Sequence, residues 1–166
     1  MRRAGLLTGS AAGGIVALAL SACGGSGGGA PSSQSASSSS SATTVAGIGV
    51  RSTPLGQILV DQNGMTLYLF EADTGSTSTC SGACLQNWPA LITASAPQAS
   101  GSASASLLGT TRRDDGSMQV TYHGHPLYRF APDMAPGDTK GQGLNDFGAG
   151  WDVLNPAGDK VEGAAH

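Results

Sequence analysis

The fold is decided by the stretch Asp61-Gln62-Asn63-Gly64-Met65-Thr66-Leu67-Tyr68-Leu69-Phe70. Short apolar runs with a period of two lie on both sides of Asn63-Gly64, as expected for β-strands with one buried face. Asn-Gly is the strongest short signal for a hairpin turn, because both residues tolerate positive φ. The stretch therefore predicts a β-hairpin whose first strand begins near Ile58.

The same pattern returns 60 residues further along the chain, where two apolar runs flank His123-Gly124-His125. The identities at this offset pair Val60 with Val120, Gly64 with Gly124, Leu67 with Leu127, Tyr68 with Tyr128, Phe70 with Phe130, and Asp73 with Asp133. Each copy also ends in a tryptophan, Trp88 in the first and Trp151 in the second. The sequence is a tandem duplication.

The duplication predicts an all-β fold in which two hairpin-based repeats pack as one small pseudo-symmetric body, because a single hairpin is only marginally stable. The predicted domain covers residues 45–157. Its parts are repeat one at about 58–91, a mobile loop at 94–106, repeat two at about 107–154, and a flexible tail at 158–166.

The N-terminal region predicts export and anchoring. Arg2-Arg3 and an apolar stretch are typical of a signal peptide over residues 1–22, too short to span a bilayer. Leu20-Ser21-Ala22-Cys23 resembles a bacterial lipobox, so we expect Cys23 to be acylated. Residues 23–44 then form a disordered Gly/Ser-rich tether with a reach of about 25 Å, or a sugar-decorated stalk. Both the general secretory and the twin-arginine routes remain open for export.

Composition and motifs exclude several functions. The chain has 8 basic and 11 acidic residues, so it lacks the basic footprint of a nucleic-acid binder. The serines concentrate in the predicted disordered segments, and no Ser-His-Asp set has a structural context. We find no catalytic motif and no cofactor-binding signature, so the sequence predicts a protein that is not an enzyme.

The repeated motifs, Tyr68 to Asp73 and Tyr128 to Asp133, resemble a family of predicted bacterial lipoproteins with a Tyr-x-aromatic-x-x-Asp motif, a secreted repeat of unknown function. The resemblance extends over about 59–154. It also covers Cys80-Ser81-Gly82-Ala83-Cys84 and Gly141-Gln142-Gly143. The family implies a location and an architecture, and no activity.

The motif residues have two interpretations. In the first, Tyr68, Phe70, Tyr128 and Phe130 form the core, while Asp73 and Asp133 accept backbone N–H bonds and cap the following turns. In the second, the two aspartates form a symmetric pair at a cleft between the repeats and bind a cation or sugar hydroxyls.

Cys80 and Cys84 lie in a Gly/Ser-rich segment of a chain that is predicted to be exported, where a disulfide is expected. Their spacing differs from that of thioredoxin-like centres. Two thiolates that bind Cu(I) together with a Met or His are the remaining alternative.

His123 and His125 are metal-site candidates, because a His-x-His turn with Met118, Met134 or His166 could bind copper or zinc. The aligned residues in repeat one are Asn63 and Met65, so the fold does not require histidine there. Solvated turn histidines are therefore the favoured interpretation, with no metal.

These observations predict a lipid-anchored extracytoplasmic protein that acts as a non-enzymatic binding or envelope-associated module. Its expected partners are membrane lipid, through acylated Cys23, and an extracytoplasmic ligand or protein, and not nucleic acid. The alternative is an extracytoplasmic redox or copper-handling protein that uses the cysteine pair or the histidines.

Overall fold

The computed structural model describes residues 44–163, which form three small three-stranded sheets. The predicted signal peptide, Cys23 and the tether up to residue 43 lie outside the described residues, as do residues 164–166. The elements are β1 (Gly47–Thr53), β2 (Gly56–Asp61), β3 (Tyr68–Phe70), α1 (Ala83–Asn87), β4 (Gln98–Ala99), a 3₁₀ turn (Ala105–Leu107), β5 (Leu108–Arg112), β6 (Met118–Tyr122), β7 (His125–Pro126), β8 (Leu144–Asp146) and β9 (Ala149–Val153). The prediction of an all-β body is confirmed.

The strand orders of the sheets are β2-β1-β4, β3-β9-β8 and β5-β6-β7. β1 pairs antiparallel with β2, and β4 adds to β1 in parallel. The segment 94–106, which the sequence predicts as a mobile loop, therefore contributes a short strand. The N–H groups of Gln98 and Ser100 donate to the carbonyl oxygens of Ala46 and Ile48 at 2.9 and 2.8 Å.

Both hairpin turns form where the sequence places them. In the first, the carboxylate of Asp61 accepts the N–H groups of Asn63 and Met65, which fixes the turn before Gly64 at φ 78°. In the second, His123 at φ 50° and Gly124 at φ 84° connect β6 to β7. A φ of this sign is unusual for a residue that carries a side chain, so His123 is held in its turn by its surroundings.

The offset between the repeats changes at the turn. Leu59 donates to Leu154 and accepts from Leu67, and Val120 makes the equivalent bonds with Leu91 and Leu127. Leu59 therefore corresponds to Val120, an offset of 61, whereas Tyr68 and Tyr128 keep the offset of 60. The first turn is therefore one residue longer than the second. The identity of Val60 and Val120 in the sequence is not a structural equivalence, because Val120 occupies the position of Leu59.

The two repeats exchange strands. β3 of repeat one pairs with β9 of repeat two, which places Tyr68 opposite Val153. In the pseudo-symmetric counterpart of this pairing, Ala90 of repeat one forms a β-bridge with Tyr128 of repeat two. The repeats therefore interlock into one body, as the duplication predicts, and each covers the other's motif strand.

The interior consists of two apolar clusters on which the sheets pack. The larger side chains that are fully buried include Trp88, Trp151, Tyr68, Tyr122 and Tyr128. Every buried side-chain nitrogen and oxygen in the part of the chain that the structure describes has a hydrogen-bond partner. The hydrogen bonds of the interior polar groups therefore stabilise the fold.

The segment after Asn155 is bound to the body as far as the structure describes it, unlike the flexible tail predicted at 158–166. Val161 donates to the carbonyl of Val153, and the Gln142 amide donates to the carbonyl of Val161, both at 2.8 Å. Lys160 pairs with Glu71 at 2.7 Å. No helix within residues 44–163 has the length and apolarity needed to cross a bilayer.

Candidate functional site

The tyrosine of each repeat is hydrogen-bonded to the aspartate of the other repeat. The Tyr68 hydroxyl donates to Asp133 Oδ2 at 2.6 Å, and the Tyr128 hydroxyl donates to Asp73 Oδ2 at 2.7 Å. Hydrogen bonds from a neutral hydroxyl to a carboxylate at this distance are among the stronger ones in proteins. The spacing that is repeated in the two motifs thus gives two reciprocal bonds between the repeats.

The same aspartates also fix the loops that follow them. Asp73 Oδ1 accepts the N–H and the hydroxyl of Thr79 at 2.7 and 2.8 Å. Asp133 Oδ1 accepts the N–H of Lys140 at 3.0 Å. Each carboxylate therefore uses one oxygen for its own loop and the other for the opposite tyrosine.

Burial changes the acid–base properties of this region. Desolvation, and then the hydrogen bond to Asp133, raises the pKa of Tyr68 above its usual value. Desolvation likewise raises the pKa of Tyr128. Burial also raises the pKa of Asp133, although the bond from Tyr68 acts in the opposite direction. Both tyrosines are therefore neutral over the physiological range.

The aromatic side chains form one continuous stack across the two repeats. Trp88 and Trp151 lie face to face with ring centroids 3.9 Å apart and planes at 6°. Phe70 stacks on the outer face of Trp151 at 4.1 Å, and Phe130 covers Trp88 at 4.2 Å. Each phenylalanine thus covers the tryptophan of the other repeat, a second exchange that the sequence motif did not reveal.

Asp146 joins the two indole rings at one edge of the stack. Its backbone carbonyl accepts Trp151 Nε1–H at 3.0 Å, and its carboxylate accepts Trp88 Nε1–H at 3.4 Å. Asp146 ends β8, and the following turn holds the half-exposed Phe147 at φ 56°. This aspartate is not part of the repeated motif, so it could not be identified from the duplication.

Cys80 and Cys84 form a disulfide, which confirms the favoured prediction, with Cα atoms 5.4 Å apart. Both residues are buried. Arg113 fastens this loop to repeat two, because it donates to the carbonyl of Cys80 at 2.7 Å and to Ser78 and Gln119 at 2.6 Å. Ser78 in turn is bonded to the Tyr128 hydroxyl at 2.6 Å. The disulfide loop therefore supports a motif tyrosine.

His123 and His125 face a surface cavity of about 600 Å³, here called the histidine pocket. Its lining also includes carboxylates, an amine and two residues of β3. The full lining is Leu69, Phe70, Glu71, Asp73, His123, His125, Gly158, Asp159 and Lys160. The pocket thus combines groups from both repeats with the C-terminal segment.

The imidazoles differ in exposure. His123 is exposed, and its ring packs on Gly158, where a Cβ atom would lie only 2.7 Å from ring atoms. His125 is half-buried, and burial followed by the charge of His123 lowers its pKa. The ring centroids are 6.4 Å apart. In the described residues no three His, Cys, Asp or Glu side chains converge as a metal-binding group, and His166 lies outside those residues.

The duplication serves as an internal control for the pocket. Repeat one carries Asn63 and Met65 where repeat two carries the histidines, and repeat two carries Ala131 where repeat one carries Glu71. Each repeat forms a hairpin turn at this position, one with the histidines and the other without them. The histidines and Glu71 are therefore not required by the architecture, unlike the duplicated tyrosines and aspartates.

Comparison with known proteins agrees with the geometry of the two copies. The family model described as a secreted repeat of unknown function matches twice, over residues 49–92 and 109–155, which together span more than half of the chain. No curated protein matches the chain, and neither does any solved structure. The two matches coincide with the two interlocked repeats of the structure. The chain therefore belongs to the secreted-repeat family of unknown function.

Proposed function

We propose that the chain is an extracytoplasmic lipoprotein, anchored through Cys23, whose domain acts as a non-enzymatic binding module with the histidine pocket as its ligand site. Membership of a secreted family implies a location outside the cytoplasm. The lipobox-like Leu20-Ser21-Ala22-Cys23 supports acylation. The tether after Cys23 would hold the domain close to the membrane surface.

One observation carries the ligand site: His123, His125 and Glu71 of the pocket are replaced by other residues at the aligned positions, whereas the tyrosines and aspartates that bond across the repeats are duplicated. The duplicated Tyr68, Tyr128, Asp73 and Asp133 all bond to one another or to neighbouring loops. They hold the body together and are not free for a ligand. The pocket, by contrast, is open to solvent and lined by both apolar and charged residues, and ligand sites commonly combine apolar walls with a few polar groups.

The anchor is tested by labelling cells that express the full chain with radioactive palmitate. We expect the parent to carry label and to partition into the membrane fraction. Cys23→Ala should lose both properties. An unlabelled parent, or a labelled Cys23→Ala variant, would contradict the anchor.

The pocket is tested by exchanging its turn for the turn of repeat one. The double variant His123→Asn, His125→Met carries side chains that this fold accepts at the aligned positions. Thermal unfolding of parent and variant is measured with a panel of divalent cations, amines and sugars. A ligand that raises the Tm of the parent and not of the variant supports the pocket. Equal responses to every ligand would contradict it.

A second function, metal handling, is favoured by the two imidazoles, whose ring centroids lie 6.4 Å apart and which line the same pocket. Two imidazoles select borderline ions such as Cu²⁺ or Zn²⁺, with water in the remaining positions. Titration calorimetry with Cu²⁺ distinguishes the cases. His166→Ala is the matched control, because it removes the third histidine of the chain. Copper binding that His166→Ala retains and His123→Asn, His125→Met loses would favour metal handling.

A further inference from the structure

Two buried tyrosines and two buried tryptophans form a continuous assembly in the core with the carboxylates of buried Asp133 and partly exposed Asp73. The tryptophan rings are stacked at 3.9 Å. Tyr68 meets Trp88 edge-on at 5.3 Å between centroids, and Tyr128 meets Trp151 edge-on at 5.2 Å. Each tyrosine thus touches the stack on one side and donates to a carboxylate on the other.

We propose that this assembly accepts a one-electron oxidising equivalent from a small oxidant at the protein surface and traps it as a tyrosyl radical. The stacked indoles relay the electron from a tyrosine to the oxidant, and the carboxylates accept the phenolic protons. The activity differs from ligand binding in the histidine pocket, although Asp73 borders both sites. Its substrate class is a one-electron oxidant.

The step balances in electrons and protons. The oxidant removes one electron from the indole of Trp88 and is reduced. Tyr68 then returns an electron to that indole and transfers its phenolic proton to Asp133, so the tryptophan regains its starting state. The products are the reduced oxidant, a neutral tyrosyl radical and a neutral Asp133 carboxyl. The net charge of the protein rises by one, because one electron has passed to the oxidant. Tyr128, Trp151 and Asp73 can perform the same step.

The distances suit this proton transfer. The Tyr68 and Tyr128 hydroxyls lie 2.6 and 2.7 Å from their carboxylates, within the range over which a positioned base takes a proton directly. The raised pKa of Asp133 means that its carboxylate holds a proton more readily than an ordinary aspartate. Loss of the proton leaves a neutral radical, so no charge has to be buried on the tyrosine.

The electron has a route from the surface. Trp88 and Trp151 are fully buried, but both indole N–H groups reach Asp146, which is only half-buried at the end of the β8–β9 hairpin. An oxidant at this hairpin is separated from the stack by a single residue.

Tyr122 provides a matched control within the same chain. It is fully buried, like Tyr68, but its hydroxyl donates to the backbone carbonyl of Pro156 at 2.8 Å. A carbonyl oxygen is too weak a base to take up the proton. Oxidation of Tyr122 is therefore expected to be much less favourable.

The experiment generates ruthenium(III) tris-bipyridine by a laser flash in the presence of the folded protein. Transient absorption and electron paramagnetic resonance then follow the radicals. The parent and Tyr122→Phe should both form a tyrosyl radical in equal yield. Tyr68→Phe, Tyr128→Phe should lose it. Equal tyrosyl yield in that double variant would overturn the proposal.

The double variant Asp73→Asn, Asp133→Asn tests proton acceptance separately, because it keeps all the rings and an acceptor oxygen at each site. Tyrosyl formation should slow by about a hundredfold, the lower range for a positioned proton acceptor. This variant also decides the matter if the phenylalanine variant does not fold. An unchanged rate in a folded Asn variant would overturn the proposal. Near-ultraviolet circular dichroism establishes that each variant is folded.

Discussion

The backbone N–H of Tyr68 donates to the carbonyl of Tyr128 at 2.9 Å, and the N–H of Tyr128 donates to the carbonyl of Tyr68 at 3.0 Å. This reciprocal pair marks the pseudo-two-fold axis of the domain. The exchanged hydroxyl–carboxylate bonds and the stacked indoles lie around the same axis. The stability of the body should therefore depend on groups that act across the repeats.

Removing one exchanged hydroxyl should destabilise the domain. Tyr68→Phe leaves the buried Asp133 carboxylate with one donor fewer, and bonds to charged groups contribute about 1.5 to 3 kcal/mol. We expect a loss of about 2 kcal/mol in chemical denaturation. A double-mutant cycle with Asp133→Asn should show coupling, whereas a cycle with Asp73→Asn should show little. Equal coupling in both cycles would contradict the observed pairing.

Stability should fall as the solution becomes alkaline. The pKa values of Tyr68 and Tyr128 are raised by folding, whereas tyrosines in the unfolded chain titrate near 10. The folded state thus keeps protons that the unfolded state releases, and its stability, fully present below pH ~10, declines above that value. The Tm measured from pH 8 to 11 should drop most steeply above pH ~10.

The double variant Tyr68→Phe, Tyr128→Phe provides the control for that prediction. It lacks both groups, so its Tm should depend less on pH in the same range. A slope as steep as that of the parent would show that other groups cause the alkaline loss.

Removal of the disulfide should weaken the fold without abolishing it. Closing so short a loop contributes about 2 kcal/mol in the chain-entropy model. Cys80→Ser, Cys84→Ser should therefore lower the free energy of unfolding by that amount, measured by chemical denaturation under non-reducing conditions. Because both cysteines are buried, the folded parent should react with a thiol reductant only slowly. Rapid reduction of the native protein would contradict this burial.

A side chain at Gly158 should destabilise the domain because it would collide with His123, in addition to the strain of its positive φ. It lies at φ 89°, and an added Cβ would lie 2.7 Å from the His123 ring. Gly124 has a similar φ of 84°, but a Cβ there would meet nothing within 4 Å. Gly158→Ala should therefore lower the Tm more than Gly124→Ala, by roughly 1 to 3 kcal/mol in stability. Equal losses would mean that backbone strain alone is responsible.

The sequence predicts which residues correspond but not which residues meet. Asn63-Gly64 and His123-Gly124 predict the turns through their local conformational preferences, and these turns are confirmed. The offset of 60 identifies Tyr68 and Tyr128 as equivalent. It does not show that Tyr68 bonds to the aspartate of the other repeat. A Tyr–Asp hydrogen bond within one repeat would involve the same motif positions as a bond between the repeats.

Other features escape the sequence for different reasons. β4 is a two-residue strand in a Ser/Ala segment, where composition favours a loop and only pairing with β1 orders the backbone. The histidine pocket depends on Gly158 and Lys160, which come from a segment with no strand pattern. Their position results from tertiary bonds to Gln142 and Glu71.

The exchanged bonds have an evolutionary consequence. A single copy of the repeat already contains both the donor and the acceptor of each Tyr–Asp bond, so two identical copies can satisfy one another about a true two-fold axis. Fusion of such a homodimer into one polypeptide makes its assembly independent of concentration. It also frees each half to diverge, and the two halves now differ at the aligned turn, with two histidines in one and asparagine and methionine in the other.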